Sequence, residues 1–182
     1  MTADRDQQIP SAIIGLTIGL TLSVGGWFAI GPDHPVFAVT VQGGFLLMAL
    51  LTGPALVDVG RTRYRVRAYE PRLYAWLGAD LVRRVLDAVG WNRMIGRMRT
   101  AESGASMLTR YLRGTEQSET AHLLGAAATV VVAAVAAATG HPQGVLHLLL
   151  VGFVLHGYPV MIQRTVRFRI TSRRTGRSAD AS

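Results

Sequence analysis

The chain has 182 residues, of which 49% are hydrophobic and only 16% charged, and its net charge is +8. A soluble domain carries about a quarter charged residues, so this balance points to a membrane protein. The chain contains no cysteine, which excludes disulfides, cysteine-ligated metal and a thiolate nucleophile. All nineteen basic residues are arginine. Basic clusters that border apolar runs favour anionic lipid head groups as partners over nucleic acid.

Residues 11–30, SAIIGLTIGLTLSVGGWFAI, carry no charge and have about the ~20-residue length that a bilayer-spanning helix needs. The competing reading is a cleaved signal peptide. The start MTADRDQQ has no positive n-region and the apolar run is longer than a signal core, so a retained helix is expected. Gly15 and Gly19 form a small-xxx-small pair that lets another helix approach, either a partner's or a second copy's. The turn GPDHP leads to a second span at 36–57. A third follows at 121–139 and a fourth at 143–162, joined by GHPQG. The expected fold is an all-α integral membrane protein with four transmembrane helices in two hairpins, a single membrane domain over 1–182.

Between spans two and three, residues 58–120 hold twelve arginines; six more follow span four, and the two short turns hold none. By the positive-inside rule the loop, the basic tail 163–182 and both termini lie in the cytoplasm, at the cell membrane. The loop is too apolar for a disordered connector. Leu73, Trp76, Leu77, Leu81, Val85 and Val89 recur at helical spacing, with Pro71 near the start and Gly90 as a stop. An interfacial amphipathic helix carrying Trp76 and Trp91 is one reading, and a small soluble subdomain is the other. Before it, RTRYRVRAYE alternates; if extended, it presents arginines on one face and Thr62, Tyr64 and Val66 on the other.

Ionisable groups near a membrane are the informative ones, because they are costly there. Glu119 and His122 are three apart at the start of span three, hence on one helix face, an arrangement in which a carboxylate orients an imidazole base. An interfacial Glu and His also arise by chance. His147 and His156 point to nearly opposite sides of span four, and no metal-ligand spacing is present. No GxSxG, P-loop or GxGxxG occurs, so transfer chemistry is expected to be direct between two bound substrates, without a bound cofactor.

YEPRLYAWLGADLVRRVLDAVG, then SETAHLLG, then YPVMIQRTVRFRI, in that order and spacing, resemble the glycosyl-4,4'-diaponeurosporenoate acyltransferases. These are small integral membrane proteins of carotenoid biosynthesis that attach a fatty acyl chain to the sugar of a glycosylated carotenoid. The resemblance covers about residues 64–170. Its aromatic-Glu start matches Tyr69-Glu70, its Glu-His pair matches Glu119 and His122, and its closing element matches Pro159, Gln163, Arg164, Arg167 and Arg169. The chain departs from the pattern where Thr165 and Val166 replace a Tyr-Asn pair, and where His156-Gly157-Tyr158 replaces an Asn before the proline.

The resemblance implies a membrane acyltransferase in which His122, oriented by Glu119, deprotonates an acceptor hydroxyl. Gln163, Arg164, Arg167, Arg169 and Glu70 would then position an acyl donor such as acyl-CoA or an acyl carrier protein. A glycosylated carotenoid or similar lipid is the implied acceptor. The rival from another class is a non-catalytic helper or scaffold that binds anionic lipid and docks a partner helix through Gly15 and Gly19. Arg173, Arg174 and Arg177 read as snorkelling anchors.

Overall fold

The computed structural model describes residues 2–56, 62–88, 90 and 107–179, with side chains at 9–53, 62–88, 90 and 112–172. Among these the regular structure is entirely helical. α1 (Thr2–Ala29), α2 (Pro35–Leu56), α3 (Glu70–Trp76), α4 (Ala79–Ala88) and α5 (Met107–Ala138) precede α6 (Pro142–Gly152) and α7 (Tyr158–Ala179). A π-helical turn, Phe153–Gly157, links the last two. Among the described residues, four stretches are long and apolar enough to cross a membrane: Ile9–Ala29, Pro35–Gly53, Leu112–Ala138 and Pro142–Ser172. The third and fourth exceed the expected 121–139 and 143–162, and the basic segment expected as a tail continues in helix to Ala179. Val89, Trp91 and the side chains of Arg173, Arg174 and Arg177 lie outside the described residues.

The chain divides into two compact units, the first formed by 1–58 and 117–160, the second by 59–116 and 161–182. In the first unit Phe37, Val41, Phe45 and Met48 of α2 pack with Ala133 and Ala136 of α5 and Leu148 of α6. Ile13, Leu20, Phe28, Leu50, Val131 and Leu150 are exposed instead. A surface this apolar is covered by lipid in a spanning protein. Hydroxyls inside α1 are satisfied locally: Thr17 donates to the Ile13 carbonyl at 2.9 Å and Ser23 to that of Gly19 at 2.8 Å.

Small residues set how closely these helices approach. A Cβ on Gly15 would lie 3.0 Å from the Leu51 side chain, and one on Gly19 3.0 Å from Met48 Sδ. The close approach this pair permits is therefore made by α2 of the same chain. At one end Gly31 (φ 93°) and Gly140 (φ 81°) adopt the left-handed conformation that their turns need. Asp33 ties those turns together. Its Oδ1 accepts from the Gly144 N–H at 2.8 Å, and its Oδ2 lies 2.8 Å from His141 Nδ1. The His141 bond, then the Gly144 bond, hold the Asp33 carboxyl below the usual range.

In the second unit the expected single helix over 73–89 is two. Gly78, at φ 85°, breaks the chain between α3 and α4, and Gly90 (φ 76°) is a left-handed residue past the second. The alternating segment is not extended either. Thr62–Tyr64 form a 3₁₀ turn, and Tyr64 is buried while Arg63, Arg65 and Arg67 stay exposed. On α3 and α4 the periodic apolar side chains face outward: Trp76 is 83% exposed, with Leu73, Leu81 and Val85 also exposed.

Candidate active site

Within the first unit, α2, α5 and the π-helical turn bring four polar side chains together in an otherwise apolar interior. Gln42, Thr129 and His156 are buried and His122 is half-buried. His156 Nε2 lies 2.9 Å from Gln42 Oε1. Gln42 Nε2 donates to Thr129 Oγ1 at 2.9 Å and to the Leu148 carbonyl at 3.3 Å. Thr129 in turn donates to the Gly125 carbonyl at 2.8 Å. On its other side His156 Nδ1 faces His122 Nδ1 at 3.4 Å, with the ring centroids 5.6 Å apart. The Leu155 carbonyl is a further acceptor beside the His122 ring.

Local sequence explains how so many polar atoms fit. A Cβ on Gly125 would stand 2.3 Å from His156 Cε1, so the imidazole occupies the space that a side chain there would take. A Cβ on Gly152 would meet Thr129 Cγ2 at 2.7 Å and Gln42 Nε2 at 3.0 Å. The π-helical turn widens the helix by one residue where His156 sits. Such bulges recur at functional sites because they re-aim one side chain without ending the helix. Glu119 is 2% exposed on α5, three positions before His122. Among the described residues no group of three or more His, Cys, Asp or Glu is placed to hold a metal ion.

The second unit gathers the arginines around a carboxylate. Arg164 grips Glu70 with two bonds, Nε to Oε2 at 2.7 Å and Nη2 to Oε1 at 3.0 Å. The same guanidinium donates to the carbonyls of Arg63 at 3.1 Å and Arg65 at 3.2 Å. Glu70 also accepts from the Arg67 N–H at 2.9 Å and from the Tyr74 hydroxyl at 2.8 Å. Burial pushes the Glu70 carboxyl up, but the bonds from Arg164, the Arg67 N–H and Tyr74 outweigh it and hold it at about 2. Burial, then the bond to Glu70, raises the Tyr74 phenol to about 12, so it remains a donor. Arg167, 5% exposed, donates to Thr115 Oγ1 at 3.2 Å and to the Tyr64 carbonyl at 3.0 Å. It and Arg63 lie 5.4 and 4.6 Å from the Tyr64 ring centroid. Arg169 is half-exposed, 3.7 Å from Asp80, and Gln163 is half-buried.

Each site residue expected from the sequence is therefore located. His122 meets His156, which the sequence leaves without a role, and His156 in turn meets Gln42, which the sequence does not single out. Glu70 and Arg164 are joined directly, with most of the guanidinium's donors engaged inside the protein. One signal for Gln42 was available, since an amide inside an uncharged span is costly unless it serves a purpose. Nothing local pairs His122 with His156, which are 34 positions apart.

Four spanning helices and a buried polar cluster among them define an integral membrane protein with a candidate reaction centre inside its apolar layer. The family model for glycosyl-4,4'-diaponeurosporenoate acyltransferase matches residues 60–174, and the chain belongs to that family. No curated protein and no solved structure matches it.

Proposed function

We propose that this protein transfers a fatty acyl group from a thioester donor, acyl-CoA or an acyl carrier protein, to a hydroxyl of a glycosylated carotenoid or a similar lipid. The observation that carries the reading is the family match over 60–174. The His122–His156 contact supports a histidine base among the apolar helices. In this reading His122 takes the acceptor's hydroxyl proton as the oxygen bonds to the acyl carbon. The carbon–sulfur bond breaks, and the proton passes from His122 to the departing thiolate. Direct transfer fits the lack of a cysteine and of a serine-centred motif. Glu119 is kept as a second group on the same helix face.

The roles proposed for Arg164 and Glu70 shift toward positioning. Their mutual grip, and the carbonyls Arg164 holds, support them as the clasp that sets α3 and the 62–67 segment in place. Exposed Arg65, Arg67, Arg72 and Arg84 are better suited to meet donor phosphates or anionic lipid. The arginine distribution supports placing 58–120 and both termini on the cytoplasmic side of the cell membrane.

The test compares total lipid and pigment extracts by mass spectrometry from cells carrying the wild type, a deletion or His122→Ala at matched membrane abundance. An acylated glycolipid should vanish in both altered strains while its unacylated precursor accumulates. Indistinguishable extracts would overturn the reading.

A further inference from the structure

We infer that Gln42 is a positioning residue that sets the tautomers of both histidines, so that His122 presents an unprotonated Nε2 to the acceptor. The inference rests on the proposed role of His122 as base. It also concerns a residue outside the 60–174 stretch on which the family match stands.

The chain of bonds starts from a group with no choice. A backbone carbonyl only accepts, so the contact of Leu148 O with Gln42 at 3.3 Å directs the amide nitrogen toward it. Thr129 Oγ1 lies 2.9 Å from Gln42 Nε2 and 3.0 Å from Oε1, so it serves either orientation of the amide, and the Leu148 carbonyl alone selects between them. Gln42 Oε1 then faces His156 Nε2 at 2.9 Å as an acceptor, so the His156 proton sits on Nε2. With that ring neutral, His156 Nδ1 holds only a lone pair, and it faces His122 Nδ1 at 3.4 Å. The His156 lone pair therefore draws the His122 proton to Nδ1 and leaves Nε2 bare, in competition with the Leu155 carbonyl, the other acceptor beside the ring. A reversed amide would reverse every assignment and leave His122 Nε2 protonated, a donor where a base is needed.

Packing prevents Gln42 from drifting out of this role. Its side chain is fully buried, Gly152 leaves room for the amide, and Gly125 leaves room for the ring.

The experiment is ¹⁵N NMR of the full chain, labelled at its five histidines and reconstituted in lipid nanodiscs, with His122→Gln and His156→Gln samples assigning the two rings. The wild type is expected to show His156 protonated at Nε2 and His122 at Nδ1. Gln42→Met, of similar shape but unable to hydrogen bond, should give mixed tautomers on both rings, and Thr129→Ser should keep the wild-type pattern. A wild-type His122 protonated at Nε2, or a Gln42→Met spectrum identical to the wild type, would overturn the inference. The wild-type spectrum alone decides if Gln42→Met fails to fold. Acyl transfer measured on the same samples separates the two ideas. Tautomers that move in Gln42→Met with an unchanged transfer rate would uphold the hold of Gln42 on the rings and remove His122 as the base.

Discussion

Around Gln42, neutral side chains share hydrogen bonds among apolar helices; around Glu70, a carboxylate and a guanidinium share theirs with backbone carbonyls and a phenol. The two clusters pair their polar atoms by opposite means. In the first no member is a carboxylate or a guanidinium and two are imidazoles, which can give or take a proton, so the arrangement suits transfer chemistry. In the second the charges are opposite, close and engaged with the backbone, so it suits holding irregular chain in place. The difference shows that an arginine near a membrane surface is not by itself a ligand site. Arg164 looks from the sequence like a phosphate-binding group, yet the fold occupies it.

The largest expected effect in the second unit comes from Glu70→Ala. It leaves the 14%-exposed Arg164 side chain without its carboxylate, which costs about 3–5 kcal/mol when one partner of a buried pair is removed. Thermal unfolding in detergent measures it. The same pair responds to acid with a definite sign. Because the Glu70 carboxyl is lowered from 4.5 to about 2, its contribution is full above pH 4.5 and is lost as pH falls toward 2. A Glu70→Gln variant should show a flatter stability–pH curve across that window.

In the first unit Gly125→Ala should separate chemistry from architecture. The added Cβ drives the His156 ring aside, and misplacement of about 1 Å costs on the order of 100-fold in rate. Circular dichroism should show the helices retained. A smaller effect is expected of Gly15→Ala, whose Cβ would crowd Leu51 and the Met48 carbonyl at 3.0 Å. Overpacking of this kind costs about 1–3 kcal/mol, read as a lower unfolding temperature with transfer per folded molecule kept. The helper-protein alternative predicts the reverse, with function more sensitive at Gly15 than at the histidines.

The spanning segments were legible because apolar length is a local property, and span one matches the window that hydropathy gives. The helix periodicity of 73–88 was legible too, but the break at Gly78 was not, since an isolated glycine inside a helical pattern is often tolerated. RTRYRVRAYE misleads for a related reason. Its alternation mimics a strand, while Tyr64 is buried in a 3₁₀ turn beside Arg63 and Arg167. Glu119 and His122 could be picked out because they share a helix face. His156 could not be joined to them, because its approach depends on a π-helical turn and on a glycine in another helix.

Turnover of the reconstituted protein tests the role of His122 most directly. Transfer from an acyl thioester to a glycosylated carotenoid would be measured in vesicles for the wild type and His122→Gln, normalised to folded protein. The prediction is a rate at least ~100-fold lower at an unchanged unfolding temperature, the lower end of what a general base supplies. An equal rate in His122→Gln would contradict it.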